Sequence, residues 1–375
     1  MNKKIPGRGK SLKELSLDAV KKGGVKIVPE RFEKVYFHWM ENLRDWCVSR
    51  QIWFGHRIPA WYCADRHVTV ARTAPKRCGT CGKPVEQDSD TFDTWFSSGT
   101  WTFTTLGWPK KTPDLKRFHP TSVLETGYDI LFFWVARMIL MTTYAMKDVP
   151  FKTVYLHGLV RDEQGRKMSK SLGNVLDPFE VIDEYGVDAL RFYLMRAVQF
   201  GDDGPVSMDG VHTRYTSELA NDLGNLASRT VKMVQRYRDG DVPAVDLDPK
   251  VAAEFADLCG QVGRRLDAFA VTEGLDLIWD RVRALNGYVQ ETQPWALAKD
   301  EANAAKLDEA LATLIEGLRT VAVLLLPWLP DRMGRLLDNL GVDERGLREF
   351  GQGERVAKVR DLDPLFPRVE RREAA

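Results

Sequence analysis

The segment from residue 165 to residue 174 holds the side chains best suited to act on a negatively charged substrate. It contains two lysines three positions apart, Lys167 and Lys170, and two hydroxyl side chains, Ser169 and Ser171, with a glycine near each end. Lysine carries a compact positive charge on a flexible stem, and such charges stabilise the negative charge that develops during phosphoryl or nucleotidyl transfer. The pattern therefore predicts a mobile loop that closes on a polyphosphate. An exposed basic turn without a ligand is the alternative.

A second group of candidate ligands lies between residues 63 and 81. Cys78 and Cys81 form a Cys-x-x-Cys pair, which is half of a typical zinc knuckle, and Cys63 and His67 precede this pair in the chain. Three thiolates and one imidazole make a ligand set that Zn²⁺ accepts. The sequence therefore suggests a zinc site formed by these four residues. Reduced thiols in a loop that holds no metal are the alternative.

The composition narrows the classes of protein that these residues can belong to. The chain has 375 residues, with 44% apolar and 29% charged residues, as expected of a globular protein of two or three domains. The net charge is +1, which excludes a polybasic protein that binds phosphate over its whole surface. Five cysteines are too few for a disulfide scaffold, so we expect a reducing compartment, with Cys47 and Cys259 in the core.

The sequence gives no sign of a membrane-bound or secreted protein. The first twelve residues are basic and lack the apolar region of a secretory signal. The most apolar stretch, residues 130–141, contains Arg137 and is shorter than the roughly 20 residues that a bilayer span requires. We therefore expect a soluble, cytoplasmic protein without membrane contact, in which this stretch is buried.

The order of predicted elements indicates an α/β part followed by a helical part. Residues 154–160 are typical of a buried strand that runs into a loop, and residues 179–196 are typical of a helix with Asp177 at its N-cap and Pro178 at its first position. Strands interleaved with helices indicate an α/β layer. Beyond about residue 210, apolar residues recur every three or four positions, which predicts four amphipathic helices in a bundle. The four stripes are 219–237, 255–269, 275–289 and 307–325.

Several motifs together resemble class I aminoacyl-tRNA synthetases of subclass a. Residues 167–171 read Lys-Met-Ser-Lys-Ser, which is similar to the second signature of that class. Three further segments have the form found in the valyl, isoleucyl and leucyl branch, and the Gly-His-Arg-Ile-Pro ending of the first favours the valyl member. These segments are residues 45–59, 93–98 and 125–134.

The resemblance implies an ATP-dependent ligase that forms an aminoacyl-adenylate with Mg²⁺ present. It assigns catalysis to Lys167 and Lys170, which would contact the phosphates of ATP and the pyrophosphate. Ser169 and Ser171 would shape their loop. The full set of ATP-binding residues implied in this way is Lys167, Lys170, Ser169, Ser171, His157 and Gly158.

The same resemblance implies where the amino acid and its adenylate bind. Glu125 and Asp129 fall where the family positions the adenylate, and Trp95, with Trp46 or Trp53, would form the wall of the side-chain pocket. A flat indole wall suits a branched aliphatic side chain, because such a pocket selects by shape. Valine is therefore the expected substrate, with core packing as the alternative role for each tryptophan.

Two parts of the family pattern are expected outside this sequence. The first signature, His-x-Gly-His, belongs to an N-terminal half of the catalytic domain, and the hydrolytic editing domain precedes the segment at 45–59. We therefore expect the chain to be the C-terminal portion of a synthetase, either a fragment or one piece of a split enzyme. A separate N-terminal half is an expected partner, and the chain alone should be a poor catalyst.

The helical part has a different resemblance. Residues 221–229 and 293–299 resemble the anticodon-binding domain of methionyl-tRNA synthetases, which implies that Asn225 and Arg229 bond to anticodon bases and that Trp295 stacks on one. Aromatic stacking and polar contacts to base edges are how proteins read unpaired RNA bases. Alternatively, Asn225 and Arg229 brace the bundle and Trp295 packs beneath its neighbour.

These observations predict a Rossmann-like α/β catalytic half-domain over residues 1–180, with the cysteine-containing segment 63–81 inside it. An all-α anticodon-binding domain over 181–345 and a charged tail over 346–375 would follow. The expected partners are tRNA, ATP and a small amino acid, most simply valine. Ligation of methionine, a tRNA-binding module without catalytic activity, and a purely structural bundle are the alternatives.

Overall fold

The computed structural model describes residues 1–346 and 355–370, which fall into two compact units. The first unit ends at Gly158 and the second begins at Leu159, so the lysine-bearing segment 165–174 belongs to the second unit. The domain boundaries expected at 180 and 345 stay predictions. Part of the charged tail expected at 346–375, namely residues 347–354 and 371–375, lies outside the described residues.

The first unit is organised around a parallel three-stranded sheet. The strands of the whole unit are β1 (Lys26–Val28), β2 (Ser49–Arg50), β3 (Ala60–Cys63), β4 (Val68–Val70), β5 (Val85–Gln87), β6 (Thr91–Phe92), β7 (Thr121–Gly127) and β8 (Phe151–His157). The parallel sheet has the order β1-β8-β7, and Gly127 at the end of β7 pairs with His157 at the end of β8. These two strands therefore end side by side.

Over residues 1–158, all of them described, the first unit contains six α-helices, three of which pack on one face of this sheet. The six helices are α1 (Leu12–Lys21), α2 (Arg31–Glu41), α3 (Thr94–Gly99), α4 (Trp101–Thr104), α5 (Pro113–Phe118) and α6 (Arg137–Ala145), with a 3₁₀ turn at Tyr128–Ile130 and a π-helix at Leu131–Ala136. Ile27, Leu124, Val154 and Leu156 are buried in one cluster with residues of α1, α2 and α6. Their strand neighbours Val123 and Glu125 are exposed, because alternate side chains of a strand point to opposite faces.

The apolar stretch 130–141 is buried as expected, and it forms the end of the 3₁₀ turn, the π-helix and the start of α6. Within residues 1–346 and 355–370, no helix has both the length and the apolar character that crossing a bilayer requires.

Cys47 is exposed, so its expected place in the core was wrong. It lies in a stretch without helix or strand at residues 43–48, which leaves the thiol uncovered. Cys259 packs against the second core.

The second unit is mainly helical. It contains β9 (Val160–Arg161), β10 (Gly204–Pro205), 3₁₀ turns at Lys170–Leu172 and Glu301–Asn303, a π-helix at Tyr215–Gly224, and the helices α7 (Pro178–Tyr185), α8 (Val187–Ala197), α9 (Met208–Arg214), α10 (Asn225–Arg238), α11 (Pro249–Phe255), α12 (Leu258–Asp267), α13 (Val271–Thr292), α14 (Pro294–Leu297), α15 (Ala304–Leu325) and α16 (Pro330–Asn339). One large apolar cluster fills the space between them, with Trp279 and most of α15 fully buried.

Local sequence signals explain where several of these helices begin and end. The Asp177 side chain accepts a hydrogen bond from the Phe179 N–H, and Pro178 opens α7, which confirms the predicted helix start. The single helix expected over 179–196 was wrong, because Gly186 adopts φ +89° and separates α7 from α8. Such a backbone angle is open to glycine at little cost and ends a right-handed helix.

The four apolar stripes all lie in the helical core, but two of them are divided. The stripe at 219–237 runs from the π-helix into α10, and the stripe at 255–269 is broken between α11 and α12. The third and fourth stripes lie on α13 and α15, which are single helices of 22 residues each. Helical periodicity therefore predicted the buried faces well and the breaks between helices poorly.

Candidate functional site

The carboxyl ends of β7 and β8 bring together four of the candidate residues. The His157 Nε2 lies 3.2 Å from Glu125 Oε1, and the His157 Nδ1 lies 2.6 Å from the Gly158 carbonyl oxygen. Both ring nitrogens thus face oxygen atoms. Asp129 is exposed in the 3₁₀ turn that directly follows β7. Ligands of open α/β sheets bind at this end of the strands.

The three candidate tryptophans have different surroundings. Trp46 donates its indole N–H to Asp93 at 2.8 Å, and the Arg137 guanidinium lies 3.9 Å from the centre of its ring. Trp95 is partly buried and stacks against Phe133. Trp53 is 97% exposed and therefore forms no wall within the first unit.

Trp46 also lines a cavity of about 450 Å³ in the first unit. Trp39, Phe132 and Leu140 line the same cavity, so much of its surface is apolar, and Arg44, Asp45 and Arg137 add charged groups. Burial lowers the pKa of Arg137, and Asp93, 3.6 Å from its Nη1 atom, opposes that effect. The cavity is large enough for an amino-acid side chain, although Trp95 and Glu125 are not among its lining residues.

Asp93 was not predicted from the sequence as a functional residue, although it connects two of the quoted motifs. Its side chain is 7% exposed, and it receives hydrogen bonds from the Trp46 indole, from Arg50 Nη2 at 2.6 Å and from the Trp95 backbone N–H at 3.1 Å. The only sequence signal was an acidic N-cap before Trp95, which indicates a helix start and not a hub of contacts. Asp93 therefore fixes the two candidate tryptophans relative to each other.

The lysine-bearing loop forms a hairpin followed by a short turn in the second unit. Arg161 and Lys167 form a β-bridge, Gly165 adopts φ +76°, and the 3₁₀ turn that starts at Lys170 ends at Gly173 with φ +64°. Lys167 and Lys170 are exposed. The Ser169 and Ser171 hydroxyl oxygens are 3.0 Å apart, and the Ser169 hydroxyl accepts a hydrogen bond from the Leu172 N–H. The loop thus carries both exposed lysines on an ordered backbone.

The four candidate metal ligands lie close together. Cys63 ends β3, His67 precedes β4, and the other two residues, Cys78 and Cys81, lie in the turn before β5. Their ligand atoms are all within 4.8 Å of one another, with Cys63 Sγ 3.6 Å from both His67 Nδ1 and Cys81 Sγ. Ligand atoms around a tetrahedral Zn²⁺ with Zn–S bonds of about 2.3 Å lie roughly 3.8 Å apart, so these donors fit the ion.

The backbone around this cluster already favours a thiolate. The Cys81 N–H and then the Thr80 N–H point at the Cys78 sulfur and lower the pKa of that thiol to about 6. The pKa of Cys81 is about 11: the Lys83 N–H lowers it, but burial and the neighbouring Cys63 and Cys78 sulfurs raise it by more. A thiol with a lowered pKa is closer to the thiolate form in which cysteine binds a metal ion.

The candidate anticodon residues meet on one surface of the helical unit. Asn225 and Arg229 are exposed and four positions apart, which places them on one face of α10. The Arg229 guanidinium lies 5.7 Å from the centre of the Trp295 ring. Trp295 follows Pro294, which is buried, and is itself only partly buried against the core. A guanidinium cation and an indole ring are therefore presented together.

Relatives of this chain are known. The valine--tRNA ligase of Symbiobacterium thermophilum is 45% identical over 337 residues, which are 88% of this chain and 37% of that protein. The valine--tRNA ligase of Dehalococcoides mccartyi is 44% identical over 84% of this chain and 36% of that protein. The chain thus spans little more than a third of the length of these curated relatives.

Solved structures resemble the chain over almost its whole length. A Mycobacterium tuberculosis methionyl-tRNA synthetase in complex with methionyl-adenylate has a TM-score of 0.78 at 28% identity, covering 95% of this chain and 67% of that one. The apo form of the same synthetase has a TM-score of 0.76 at 25% identity, and the match covers 97% of this chain and 69% of that one. The family model described as tRNA synthetases class I (I, L, M and V) matches residues 8–205. Because this match covers more than half of the 375 residues, the chain belongs to the class I tRNA synthetases of the I, L, M and V group.

Proposed function

We propose that the chain is the C-terminal portion of a valine--tRNA ligase, which joins valine to its tRNA through a valyl-adenylate. The observation that carries this proposal is the 41–45% identity to valine--tRNA ligases over most of the chain. The motifs at residues 45–59, 93–98, 125–134 and 167–171 lie in the region that the family model matches, which supports the same activity. In the first step the valine carboxylate attacks the α-phosphate of ATP and pyrophosphate leaves. In the second step a ribose hydroxyl of the terminal adenosine of the tRNA attacks the valyl carbonyl, so that an ester forms and AMP leaves.

The lysines of the loop supply the positive charge for the first step. Lys167 and Lys170 contact the phosphates and stabilise the charge that moves onto the departing pyrophosphate. Ser169 and Ser171 hold the loop backbone, as their mutual contact and the capping of the short 3₁₀ turn support. Mg²⁺ accompanies ATP and neutralises part of the phosphate charge. No covalent enzyme intermediate is required, since positioning and electrostatics suffice.

The strand ends hold the adenylate. His157 and Gly158 border the adenosine, with the His157 ring held by its contacts to Glu125 and to the Gly158 carbonyl. Glu125 and Asp129 provide acceptors for the ammonium group and the ribose hydroxyls. All four residues lie at the carboxyl ends of adjacent parallel strands, where such ligands bind.

The amino-acid pocket uses Trp95 and Trp46, which share Asp93 as a hydrogen-bond acceptor. Methionine is the second candidate substrate, and the similarity to methionyl-tRNA synthetase structures supports it. We favour valine because the identity to valine--tRNA ligases reaches 45% over 88% of the chain, against 28% for the methionyl-tRNA synthetase structure.

The helical unit contributes the contact with tRNA. We propose that residues 181–345 form the anticodon-binding domain, with Trp295 stacked on a base and Asn225 and Arg229 bonded to base edges. The exposed Arg229–Trp295 pair supports this role, because unpaired bases stack on aromatic rings and on guanidinium planes.

A separate N-terminal half is the proposed partner of the first unit. Parallel sheets are normally covered on both faces, yet here one face carries Val123 at 40% exposure and the exposed side chains of Glu125 and His157. β7 is also an edge strand of the described sheet. The uncovered face and the open edge support docking of further α/β structure, and the isolated chain should then aminoacylate poorly.

We also propose that Cys63, His67, Cys78 and Cys81 bind Zn²⁺. The grouping of their four ligand atoms supports this assignment. The ion would cross-link the turn before β5 to the β3–β4 hairpin and hold the shape of this small antiparallel sheet.

Single-turnover aminoacylation together with filter binding of tRNA tests the proposal. The chain, alone and joined to the N-terminal half, is incubated with ATP, labelled valine or methionine, and tRNA. Transfer of valine and not of methionine supports the proposed ligase. Transfer of methionine alone makes the second candidate correct, and retention of tRNA without any transfer indicates a binding module.

A further inference from the structure

The loop that carries Lys167 and Lys170 is organised by a buried carboxylate outside its signature motif. Asp162 is 6% exposed. Its Oδ1 accepts hydrogen bonds from the backbone N–H groups of Gln164 (3.1 Å) and Arg166 (2.8 Å). Its Oδ2 accepts from Arg166 Nε and from Asn174 Nδ2, each at 2.8 Å. One carboxylate thus receives hydrogen bonds from both ends of the loop.

Asn174 extends these contacts to the segment between the lysines. Its Oδ1 accepts from the Ser169 N–H at 2.9 Å, and its Nδ2 lies 3.4 Å from the Lys167 carbonyl oxygen. Ser169 in turn caps the 3₁₀ turn that begins with Lys170. The backbone at Lys167 and the start of the turn with Lys170 are therefore both bonded to Asn174, which is itself bonded to Asp162.

We propose that Asp162, acting through Asn174, is the positioning residue that sets the conformation of the lysine loop and thereby the places where Lys167 and Lys170 meet a nucleoside triphosphate. The proposal rests on the proposed function, since it assumes that these lysines contact ATP. Asp162 does not touch the nucleotide in this account. It fixes the backbone from which the two charges project.

The backbone of the loop explains why such an anchor is needed. Gly165 and Gly173 adopt left-handed angles that glycine reaches easily, so they permit the turns without enforcing them. Both lysine side chains are exposed, whereas Asp162 is buried. Catalysis by charge depends on groups that are already in place when the reaction begins. The buried Asp162–Asn174 contact supplies that order.

The test compares three variants of the anchor with a matched control. Asp162→Asn keeps the shape of the side chain but leaves one acceptor oxygen in place of two. Asn174→Asp places two carboxylates against each other, and in the double variant the exchanged amide again donates to a carboxylate. Glu163→Gln is the control, because Glu163 is the exposed neighbour of Asp162 and lies outside the network.

The kinetic measurement is ATP–pyrophosphate exchange in whichever preparation, the chain alone or joined to its N-terminal half, exchanges in the presence of valine. We expect Asp162→Asn to raise KM for ATP about tenfold, the size expected from losing hydrogen bonds to a charged group. KM for valine should stay within about twofold of the parent value, since the loop does not contact valine. Asn174→Asp should raise KM for ATP more than the double variant does. Glu163→Gln should have the same KM values as the parent.

Amide hydrogen exchange of the 375-residue chain tests the network without any activity. The Ser169 and Arg166 amides should exchange at least about tenfold faster in Asp162→Asn than in Glu163→Gln, while helix α15 keeps its protection. Equal exchange in these two variants, or equal rises of KM for ATP and valine, would overturn the proposal. If no preparation exchanges pyrophosphate, the proposed function fails, and the amide measurement still decides whether Asp162 orders the loop.

Discussion

The carboxylate of Asp93 accepts a hydrogen bond from the indole N–H of Trp46 at 2.8 Å, across 47 positions of sequence. The same carboxylate also accepts from the backbone N–H of Trp95 and lies 3.6 Å from Arg137. A single buried charge therefore links two motifs that the sequence shows only as separate segments. The geometry of the proposed amino-acid pocket depends on this contact.

Replacing Asp93 by Asn should destabilise the first unit. The substitution leaves the mostly buried Arg137 guanidinium without its counter-charge, which costs about 3 kcal/mol in comparable buried pairs. The free energy of unfolding, measured with urea and tryptophan fluorescence, checks this expectation. Glu86→Gln, at an exposed carboxylate of β5, should change the free energy of unfolding by less than about 0.5 kcal/mol. A similar small change for Asp93→Asn would contradict the importance of this contact.

Lys170→Ala should abolish adenylate formation while leaving tRNA bound. Removing one charge that stabilises the transition state typically costs on the order of a hundredfold in rate. Filter binding should give a tRNA affinity within about twofold of the parent, because the proposed RNA contacts lie on α10 and α14. Lys110→Ala removes an exposed lysine outside the loop and should change neither quantity. Parallel losses of adenylate formation and tRNA affinity in Lys170→Ala would argue against the assigned role.

Trp295→Ala should weaken tRNA binding. Stacking on a base is worth about 1–3 kcal/mol, which corresponds to roughly 5- to 150-fold in affinity. Trp295→Phe should recover much of the loss, since it keeps a ring beside Arg229. Phe179→Ala, at an exposed aromatic residue of α7, serves as the control and should bind tRNA normally. Unchanged affinity in Trp295→Ala would instead favour a structural role for this residue.

The purified chain should contain about one equivalent of zinc. Elemental analysis of the parent, of Cys78→Ser and of Cys47→Ser separates the cluster from other cysteines, since Cys47 is exposed and lies outside it. We expect the metal to be lost in Cys78→Ser and kept in Cys47→Ser. Less than about half an equivalent in the parent would count against the site.

Because of Asp162, the stability of the loop should decrease as the pH falls in the acidic range. Hydrogen bonding lowers its folded-state pKa to about 2, with the Asn174 amide as the largest contribution. A lowered carboxyl pKa stabilises the folded state fully above the unfolded pKa of about 3.9, and the stabilisation is lost as the pH falls towards 2. Amide exchange in the loop should therefore differ between the parent and Asp162→Asn at pH 6 and converge near pH 2. A difference that persists unchanged at pH 2 would contradict this assignment.

Local chemistry explains the features that the sequence predicted correctly. The start of α7 follows from Asp177 and Pro178 alone, and the faces of α13 and α15 follow from the spacing of their apolar residues. The grouping of Cys63 with Cys78 and Cys81 also follows from short hairpins that bring nearby segments together. Membership of the synthetase family, inferred from the ordered motifs, is confirmed by the family match.

The features that were missed depend on tertiary contacts. The π-helices at Leu131–Ala136 and Tyr215–Gly224 carry no sequence signal that distinguishes them from α-helices. Asp93 and Asp162 carry the same side chain as any surface aspartate, and their importance comes only from the donors around them. The assigned roles of the individual site residues stay predictions.

Valine-dependent ATP–pyrophosphate exchange tests the central claim most directly. The chain joined to its N-terminal half should incorporate labelled pyrophosphate into ATP when valine is supplied, and much less with methionine or without an amino acid. Lys170→Ala in the same preparation should reduce the exchange to background. Exchange that is absent with every amino acid, or that occurs with methionine and not with valine, would contradict the account.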